Sequence, residues 1–206
     1  MNETGPRIYA IDGVTPVIEP GSFVHPTAVV IGDVIVEAGC YIGPCASLRG
    51  DFGRIWVHRG SNIQDNCTLH GLPGHDTVIG ENGHIGHGAI VHSARLAPNV
   101  LIGMNSVVMD FAEIGEAAII AAMSFVKARS VVPARWLWGG TPARAIRELS
   151  EADIAQKANG TRAYQDLARR SAATMTPARA LTAVEPDRRR VDETIRTGDL
   201  LGTKKG

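Results

Sequence analysis

The chain has only three cysteines among its 206 residues and no excess of charge of either sign. Three is an odd number without a paired spacing, which indicates a reduced, cytoplasmic protein rather than a disulfide framework. Because Lys+Arg and Asp+Glu are both 21, no basic field favours nucleic acid or an anionic membrane as a partner. Long apolar runs are also missing, so we expect no bilayer span, and residues 1–6 lack an apolar signal core.

Apolar residues recur at every sixth position over two long stretches of the chain. This period fits neither an α-helix nor a simple strand. It is typical of the hexapeptide β-helix, in which each hexad forms one side of a coil and a small residue fits each corner. A chance pattern in a β-sandwich is the alternative. The anchors are Val24, Val30, Val36, Ile42 and Leu48, and then Ile102, Val108, Ile114, Ile120, Val126 and Val132.

Interruptions of this register lie between the two runs. Three residues are inserted before the anchor Val57 and four within residues 70–78, and the register slips by one residue around Pro98. A solenoid accepts such insertions because each coil contacts only its neighbours, and inserted loops often build the binding face. The interruptions therefore indicate where a functional site should lie.

The sequence divides into four parts. We predict a lead-in over residues 1–21, a β-helix over 22–147, an α-helix over 148–172 and a polar tail over 173–206. Ser150 can cap the helix, and an apolar stripe favours its packing along the outside of the solenoid. We expect the tail to be mobile or loosely docked. Cys40 and Cys67 fall on the small-residue position of their hexads, which favours core packing over a nucleophilic role.

Two of the seven histidines occupy the same step of their hexads. His70 follows the anchor Leu69 and His92 follows the anchor Val91, so both side chains should point outward. They are 22 residues apart, and subtraction of the four inserted residues leaves 18, one full turn of a three-sided coil. His92 should therefore lie over His70 at the strand spacing of about 4.8 Å, where two imidazoles can share one metal.

A third histidine, His87, lies almost one whole side of the prism before His92. It cannot complete the same site within its own subunit, but a neighbour's His87 can do so in a three-fold symmetric oligomer. Three histidines with an open position are typical of a catalytic zinc, although Co or Fe(II) suits the same ligands. We therefore expect a homotrimer with one divalent metal, Zn above all, at each interface. Ordinary surface histidines are the alternative.

Several segments of the chain resemble the γ-class carbonic anhydrase family of trimeric left-handed β-helices. The similarity extends over residues 8–170, and the chain is particularly similar to the phenylacetate-degradation hexapeptide protein and its carnitine-operon relative, also in residues 184–188. The resemblance implies an all-β fold, a left-handed parallel β-helix of hexapeptide repeats, followed by a C-terminal α-helix. The segments that carry it are residues 48–51, 62–70, 87–92, 102–104 and 140–144.

The resemblance also implies roles for single residues. His70 and His92 of one subunit and His87 of the next would hold the metal. Arg49 and Asp51 would form an ion pair between subunits that orders the site, in a structural or a catalytic role. The other implied site residues are Gln64, which would face the metal-bound water, the supporting Asn62 and Asp65, and Tyr164 from the C-terminal helix.

The chain departs from the archetypal family enzyme where protons are transferred. Phe52 stands where the archetype has a glutamate, and the loop after His70 holds no glutamate. This departure predicts slow CO2 hydration, whereas hydrolysis of a thioester needs no fast proton shuttle. Leu72 would line an apolar entrance for the acyl group.

We therefore expect a metal-dependent hydrolase, an acyl-CoA thioesterase of phenylacetate catabolism with weak carbonic anhydrase activity. One alternative is a carbonic anhydrase acting on CO2 and bicarbonate. A coenzyme A-dependent acyltransferase is the second, because residues 140–144 resemble a segment that ends many hexapeptide transferases. The third is a non-catalytic assembly subunit.

Overall fold

The computed structural model describes residues 5–191, which form a parallel β-solenoid followed by one helix. The first part of the chain supplies β1 (Arg7–Tyr9), β2 (Val17–Ile18), β3 (Phe23–Val24), β4 (Val29–Val36), β5 (Tyr41–Ile42), β6 (Ser47–Val57), β7 (Asn62–Ile63), β8 (Thr68–His70), β9 (Thr77–Ile79) and β10 (His84–Ile85). The second part supplies β11 (Ile90–His92), β12 (Arg95–Leu96), β13 (Leu101–Ile102), β14 (Val107–Val108), β15 (Glu113–Ile114), β16 (Ile119–Ile120), β17 (Phe125–Val126), β18 (Val131–Val132), β19 (Trp136–Gly140), β20 (Ala143–Glu148) and α1 (Glu151–Thr174). The predicted fold, a β-helix of hexapeptide repeats with a C-terminal helix, is confirmed.

The strands form three faces. The helix face consists of β3, β5, β7, β10, β13, β16 and β19 in parallel, and β20 pairs antiparallel with β19 at its end. The histidine face carries β8, β11, β14 and β17, and the third face carries β9, β12, β15 and β18. The long strands β4 and β6 run around the corner between the latter two faces, because β6 pairs with β8 through Leu48 and with β9 through Val57.

The core is the column of hexad anchors. Each anchor after Val24 is at most 2% exposed, so every coil buries its apolar side chains against the coils above and below. Cys40 and Cys67 are completely buried among them. Burial raises the pKa of the Cys40 thiol to about 12 and that of the Cys67 thiol to about 11. The prediction that both cysteines pack in the core is confirmed.

The one-residue slip lies earlier than predicted. Leu96 is an anchor, 2% exposed, and pairs with Ile79 below it and Ile114 above it. The register is therefore already restored before Pro98, and the shortened corner lies between Val91 and Leu96. Ser93 adopts a positive φ of 43° there and closes the corner with one residue fewer. The placement of the slip around Pro98 was wrong.

Strand pairing begins within the segment predicted as a lead-in. β1 pairs in parallel with the start of β4, placing Ile8 over Val30, and β2 pairs with its end, placing Ile18 over Val36. These side chains cover the first anchors, which would otherwise face water. Residues 1–4 of the predicted lead-in lie outside the described residues.

The C-terminal helix packs on the helix face, as predicted. Ser150 caps it, since its side chain accepts a hydrogen bond from the backbone of Asp153, whose own side chain accepts one from the Ser150 backbone. The helix contacts β3, β5 and β7. Beyond it residues 175–191 are exposed, and residues 192–206 of the predicted tail lie outside the described part. Within residues 5–191 no helix combines the length and apolar character needed to cross a membrane.

Candidate metal centre

His70 and His92 stack on the histidine face. The two residues are direct partners in the pairing of β8 with β11, which confirms the predicted position of His92 over His70. Their ring centroids are 5.1 Å apart, and Nδ1 of His70 lies 3.1 Å from Nε2 of His92. The side chains are 13% and 24% exposed, so the pair is partly shielded from water.

A carboxylate holds each of these histidines from the far side. Asp51 Oδ1 lies 3.0 Å from Nε2 of His70, and Asp110 Oδ1 makes a short hydrogen bond with Nδ1 of His92. The four side chains form a continuous row across consecutive coils, the carboxylate–histidine ladder, in the order Asp51, His70, His92, Asp110.

Arg49 completes one end of the ladder. Its Nη1 donates to Asp51 Oδ2 at 2.7 Å. This ion pair forms within one chain, because residues two apart on a strand project from the same face. The ion pair between subunits that the resemblance implies for these residues stays a prediction; within one chain the two are neighbours on β6.

One ring nitrogen of each ladder histidine faces the other histidine. A carboxylate accepts a hydrogen bond, so Asp51 selects the Nε2–H tautomer of His70 and Asp110 selects the Nδ1–H tautomer of His92. In neutral rings with these tautomers, the facing nitrogens, Nδ1 of His70 and Nε2 of His92, would both be acceptors; they lie 3.1 Å apart. Two nitrogens bound to one tetrahedral zinc lie about 3.3 Å apart. The ladder therefore fits a cation between the two rings.

His87 lies elsewhere, at the corner after β10. Its side chain is 43% exposed, and its Nδ1 lies 3.3 Å from Asp65 Oδ2. Its Nε2 lies 3.3 Å from the hydroxyl of Tyr164, whose pKa burial raises to about 12, with a smaller contribution from the charge of Asp65. Tyr164 is thus a donor at neutral pH. Within residues 5–191 of one chain no three His, Cys, Asp or Glu side chains form a group that could hold a metal.

Gln64 lies beside His87 and is 2% exposed. Its Oε1 accepts from the backbone N–H of His87 at 3.2 Å. Its Nε2 donates to Asn62 Oδ1 at 2.9 Å and to His84 Nε2 at 2.7 Å. The structure thus brings the predicted residues Asn62, Gln64, Asp65, His87 and Tyr164 into one group, the helix-face cluster. Both amide hydrogens of Gln64 are engaged, one by Asn62 of this cluster and the other by His84.

The comparisons with known proteins point to one family. Residues 15–50 match the family described as bacterial transferase hexapeptide (six repeats). The carnitine operon protein CaiE of Escherichia coli strain K12 is 53% identical over 186 residues, which cover 90% of this chain and 95% of that protein. The chain belongs to the CaiE family of hexapeptide-repeat proteins. The CaiE protein of Proteus sp. strain LE138 is 52% identical and covers 89% of this chain and 93% of its own length.

Solved structures agree with this CaiE-family fold. A Bacillus cereus protein described as a candidate acetyltransferase superimposes with a TM-score of 0.81 at 31% identity, covering 82% of this chain and 98% of its own. A hexapeptide transferase family protein of Anaplasma phagocytophilum gives a TM-score of 0.77 at 36% identity with the same coverage. The similarity to CaiE and to these proteins supports an enzyme-like role.

Asp110 was not predicted as a site residue, and His84 was expected to be an ordinary histidine. Asp110 bonds to His92, but the one-residue slip shortens this coil to 17 residues, as the pairing of Val91 with Val108 shows. The register that placed His92 over His70 therefore points to Met109, and Asp110 follows it. His84 lies 22 residues after Asn62 and is its strand partner. Burial, and to a smaller extent the charges of Lys157 and His87, lower the pKa of His84 to about 3. His84 is therefore neutral and can accept from Gln64.

Proposed function

We propose that the protein is a cytoplasmic, homotrimeric, metal-dependent hydrolase that cleaves coenzyme A thioesters. The observation that supports this most is that Nδ1 of His70 and Nε2 of His92 face each other at 3.1 Å, while a carboxylate contacts the other nitrogen of each ring. Neutral imidazoles oriented by carboxylates are the usual environment of a histidine-bound metal. A divalent ion, Zn in the first place and otherwise Co or Fe(II), suits such ligands.

The trimer follows from the position of His87. The ladder offers two histidine ligands on the histidine face, whereas His87 belongs to the helix-face cluster and, within residues 5–191, has Asp65 and Tyr164 as its side-chain partners. In the proposed trimer, the three-fold axis would bring the helix-face corner of one subunit to the histidine face of the next. His87 of a neighbour would then supply the third ligand of a histidine site of the catalytic kind.

When bound, such a metal activates water at neutral pH and polarises a carbonyl. The protein's own residues do the remaining work. Asp51 and Asp110 hold the ladder histidines in their tautomers, while Tyr164 and Asp65 orient His87. Gln64 and Asn62 brace the His87 backbone from inside the helix face.

The surroundings of His70 favour an acyl substrate. The ring of Phe52 lies 5.5 Å from that of His70 and is 63% exposed, and Leu72 is 37% exposed on the adjoining loop. These side chains give the ladder an apolar edge. Phe52 stands where a carboxylate would be needed for fast proton export. The resemblance to the phenylacetate-degradation protein makes aromatic acyl thioesters the first substrates to test, with CO2 as the alternative substrate.

An acyltransferase is the second candidate. It is favoured by the descriptions of the Bacillus cereus and Anaplasma phagocytophilum proteins, which are named with acetyltransferases and hexapeptide transferases. A transferase would pass the acyl group to an amine or hydroxyl acceptor and would need one histidine base rather than a paired ladder. Acyl transfer by metal-free protein would identify this function.

The test uses one preparation, metal-loaded and metal-stripped, against CO2 and a panel of aromatic and aliphatic acyl-CoA esters. We expect metal-dependent thioester cleavage and slow CO2 hydration that depends on added buffer. The His92→Ala variant should bind the metal at least about tenfold more weakly and lose the cleavage. His25→Ala, which removes a histidine bonded to Thr27 on the surface, is the control. Fast, buffer-independent CO2 hydration without thioester cleavage would contradict the proposal.

A further inference from the structure

We infer that Asp110 is a positioning residue of the metal centre, which fixes His92 in the tautomer and ring orientation required of a ligand. The inference rests on the proposed function. It assigns to Asp110 a task that neither the hexad pattern nor the resemblance gave it. The juxtaposition that carries it is the hydrogen bond from Nδ1 of His92 to Asp110 Oδ1, one coil further along the solenoid.

The charge of Asp110 is directed at His92. Within residues 5–191, His92 is the ion-pair partner of Asp110, whereas Asp51, at the other end of the ladder, divides its charge between His70 and Arg49. The Asp110 side chain is 19% exposed, so water competes little for its oxygens. A carboxylate in this position makes the opposite ring nitrogen a better donor of its lone pair.

The main chain around Asp110 is fixed on both sides. The backbone N–H of Phe111 donates to Ser93 O at 2.7 Å in the coil below, and the Asp110 carbonyl accepts from the Arg129 N–H at 2.9 Å in the coil above. Neighbouring coils thus hold the peptide that carries the carboxylate, and its position does not depend on a flexible loop.

The ring of Phe111, the residue after Asp110, packs against two neighbouring side chains. Phe111 has a positive φ of 61°, a conformation that a bulky side chain adopts at a cost. Its ring packs edge-on against His75, with centroids 4.8 Å apart, and the Arg129 guanidinium lies 4.7 Å from its centroid. His75 comes from the inserted loop after His70. The loop therefore supports the Asp110 corner as well as lining the apolar edge.

Two variants separate the charge of Asp110 from its hydrogen bond. Asp110→Asn keeps the size and one acceptor oxygen but removes the charge, whereas Asp110→Ala removes both and leaves Nδ1 of His92 without its partner. Because outer carboxylate partners of histidine ligands typically account for about 10- to 100-fold in metal affinity, the zinc affinity should fall in the order wild type, Asn, Ala. Asp76→Asn is the matched control, since Asp76 pairs with Arg95 outside the ladder at 3.6 Å.

The experiment measures zinc dissociation constants of the metal-free trimer by chelator competition, together with bound zinc per subunit and the His92 tautomer by 15N NMR. We expect Asp110→Ala to weaken zinc binding by about 10- to 100-fold, with Asp110→Asn intermediate. The Asp76→Asn variant should stay close to wild type, and the Nδ1–H signature of His92 should be lost in Asp110→Ala. Thermal unfolding checks that each variant folds. If Asp110→Ala does not fold, the comparison of wild type with the isosteric Asp110→Asn variant is the test.

The outcomes separate the two proposals. Wild-type protein that binds no zinc would overturn the proposed function, and the role of Asp110 with it. If the folded variants Asp110→Ala and Asp110→Asn bind zinc as tightly as the wild type, only the role of Asp110 is overturned. A loss of zinc affinity in Asp76→Asn equal to that in Asp110→Asn would show a general charge effect and would also overturn it.

Discussion

At the scale of single residues, His92 shows what spacing can and cannot predict. Its position over His70 follows from counting eighteen residues per coil, because a parallel β-helix repeats its geometry from coil to coil. The same count does not lead to Asp110, because the one-residue slip puts Met109 at the register position over His92. The partners of Gln64 could not be predicted in this way. Its amide could have turned outward, and only the packed structure shows both hydrogens engaged with Asn62 and His84.

A glycine near the site gives a test of packing between coils. A Cβ added to Gly103 would lie 2.4 Å from the backbone nitrogen of Ala122 in the next coil. Backbone cannot move aside as a flexible side chain can, so Gly103→Ala should lower the free energy of unfolding by about 1–3 kcal/mol. Chemical denaturation measures the loss. Gly5→Ala, where no atom lies within 4 Å, should leave stability unchanged, and equal stability of the two variants would contradict the close approach.

Glu37 gives a prediction that depends on pH. Burial raises the pKa of its carboxyl, but hydrogen bonds from Trp56, from the Arg59 backbone and from His58, together with the charge of His58, outweigh burial and bring it below the ordinary value of 4.5. A lowered pKa stabilises the fold above 4.5, and this stability is lost as pH falls through the folded-state pKa.

We therefore expect Glu37→Gln to cost on the order of 1–2 kcal/mol at pH 7, with a deficit that shrinks at low pH. Urea unfolding of wild type and variant at neutral and acidic pH measures this change. Glu81→Gln, at a side chain that is 54% exposed, is the control. A deficit that grows as the pH falls would contradict the assigned direction.

At the scale of elements, α1 was predicted over residues 148–172 and is found at Glu151–Thr174. The cap at Ser150 could be predicted because it depends on local sequence, and the apolar stripe of the helix indicated that it docks against the solenoid. The docked surface differs from the predicted apolar stripe, since the buried residues of the helix include Lys157 and Thr161. A lysine on this surface could not be predicted, because its acceptor, the carbonyl of Asn82, lies 75 residues away in the chain.

The buried lysine makes the docking of α1 sensitive to alkaline pH. Burial lowers the pKa of Lys157 from 10.5 to about 8. Between these two values the unfolded chain binds a proton that the folded chain has released, so stability rises with pH across this window. Lys157→Met should abolish that rise.

Unfolding free energies measured at pH 8 and pH 10 test this expectation. Wild type should gain stability over the interval relative to Lys157→Met. Lys127→Met, at an exposed lysine, should behave as wild type. A wild-type protein that loses stability over the interval relative to Lys157→Met would reverse the assigned sign.

At the scale of the whole molecule, the solenoid could be predicted almost completely, because its anchors repeat in the sequence and each coil contacts only the next. The assembly is different. One chain holds the ladder of His70 and His92 on one face and His87 at another corner, so the proposed function requires the three histidines to meet between subunits. This separation allows a complementation test, in which two variants that each lack a ligand restore metal binding when they assemble together.

Subunits carrying His87→Ala and subunits carrying His92→Ala should each bind little metal alone. In any mixed trimer, one interface joins an intact ladder to an intact His87. Random assembly of equal amounts makes about three quarters of the trimers mixed, so about one quarter of the wild-type metal content should return. Metal analysis of trimers purified from co-expressed, differently tagged subunits measures the metal content that returns. No recovery in trimers shown to be mixed would contradict a shared site.

The antiparallel pairing of β20 with β19 has a consequence for the size of the molecule. The last coil of a parallel solenoid leaves backbone N–H and C=O groups with which another strand can pair, so the repeat itself does not limit the number of coils. β20 reverses direction on the helix face and turns charged side chains such as Arg144 and Arg147 outward along its exposed strand. Such a border repels further strands. A chain cut before this hairpin should polymerise end to end into fibres, whereas the intact chain keeps a finite length.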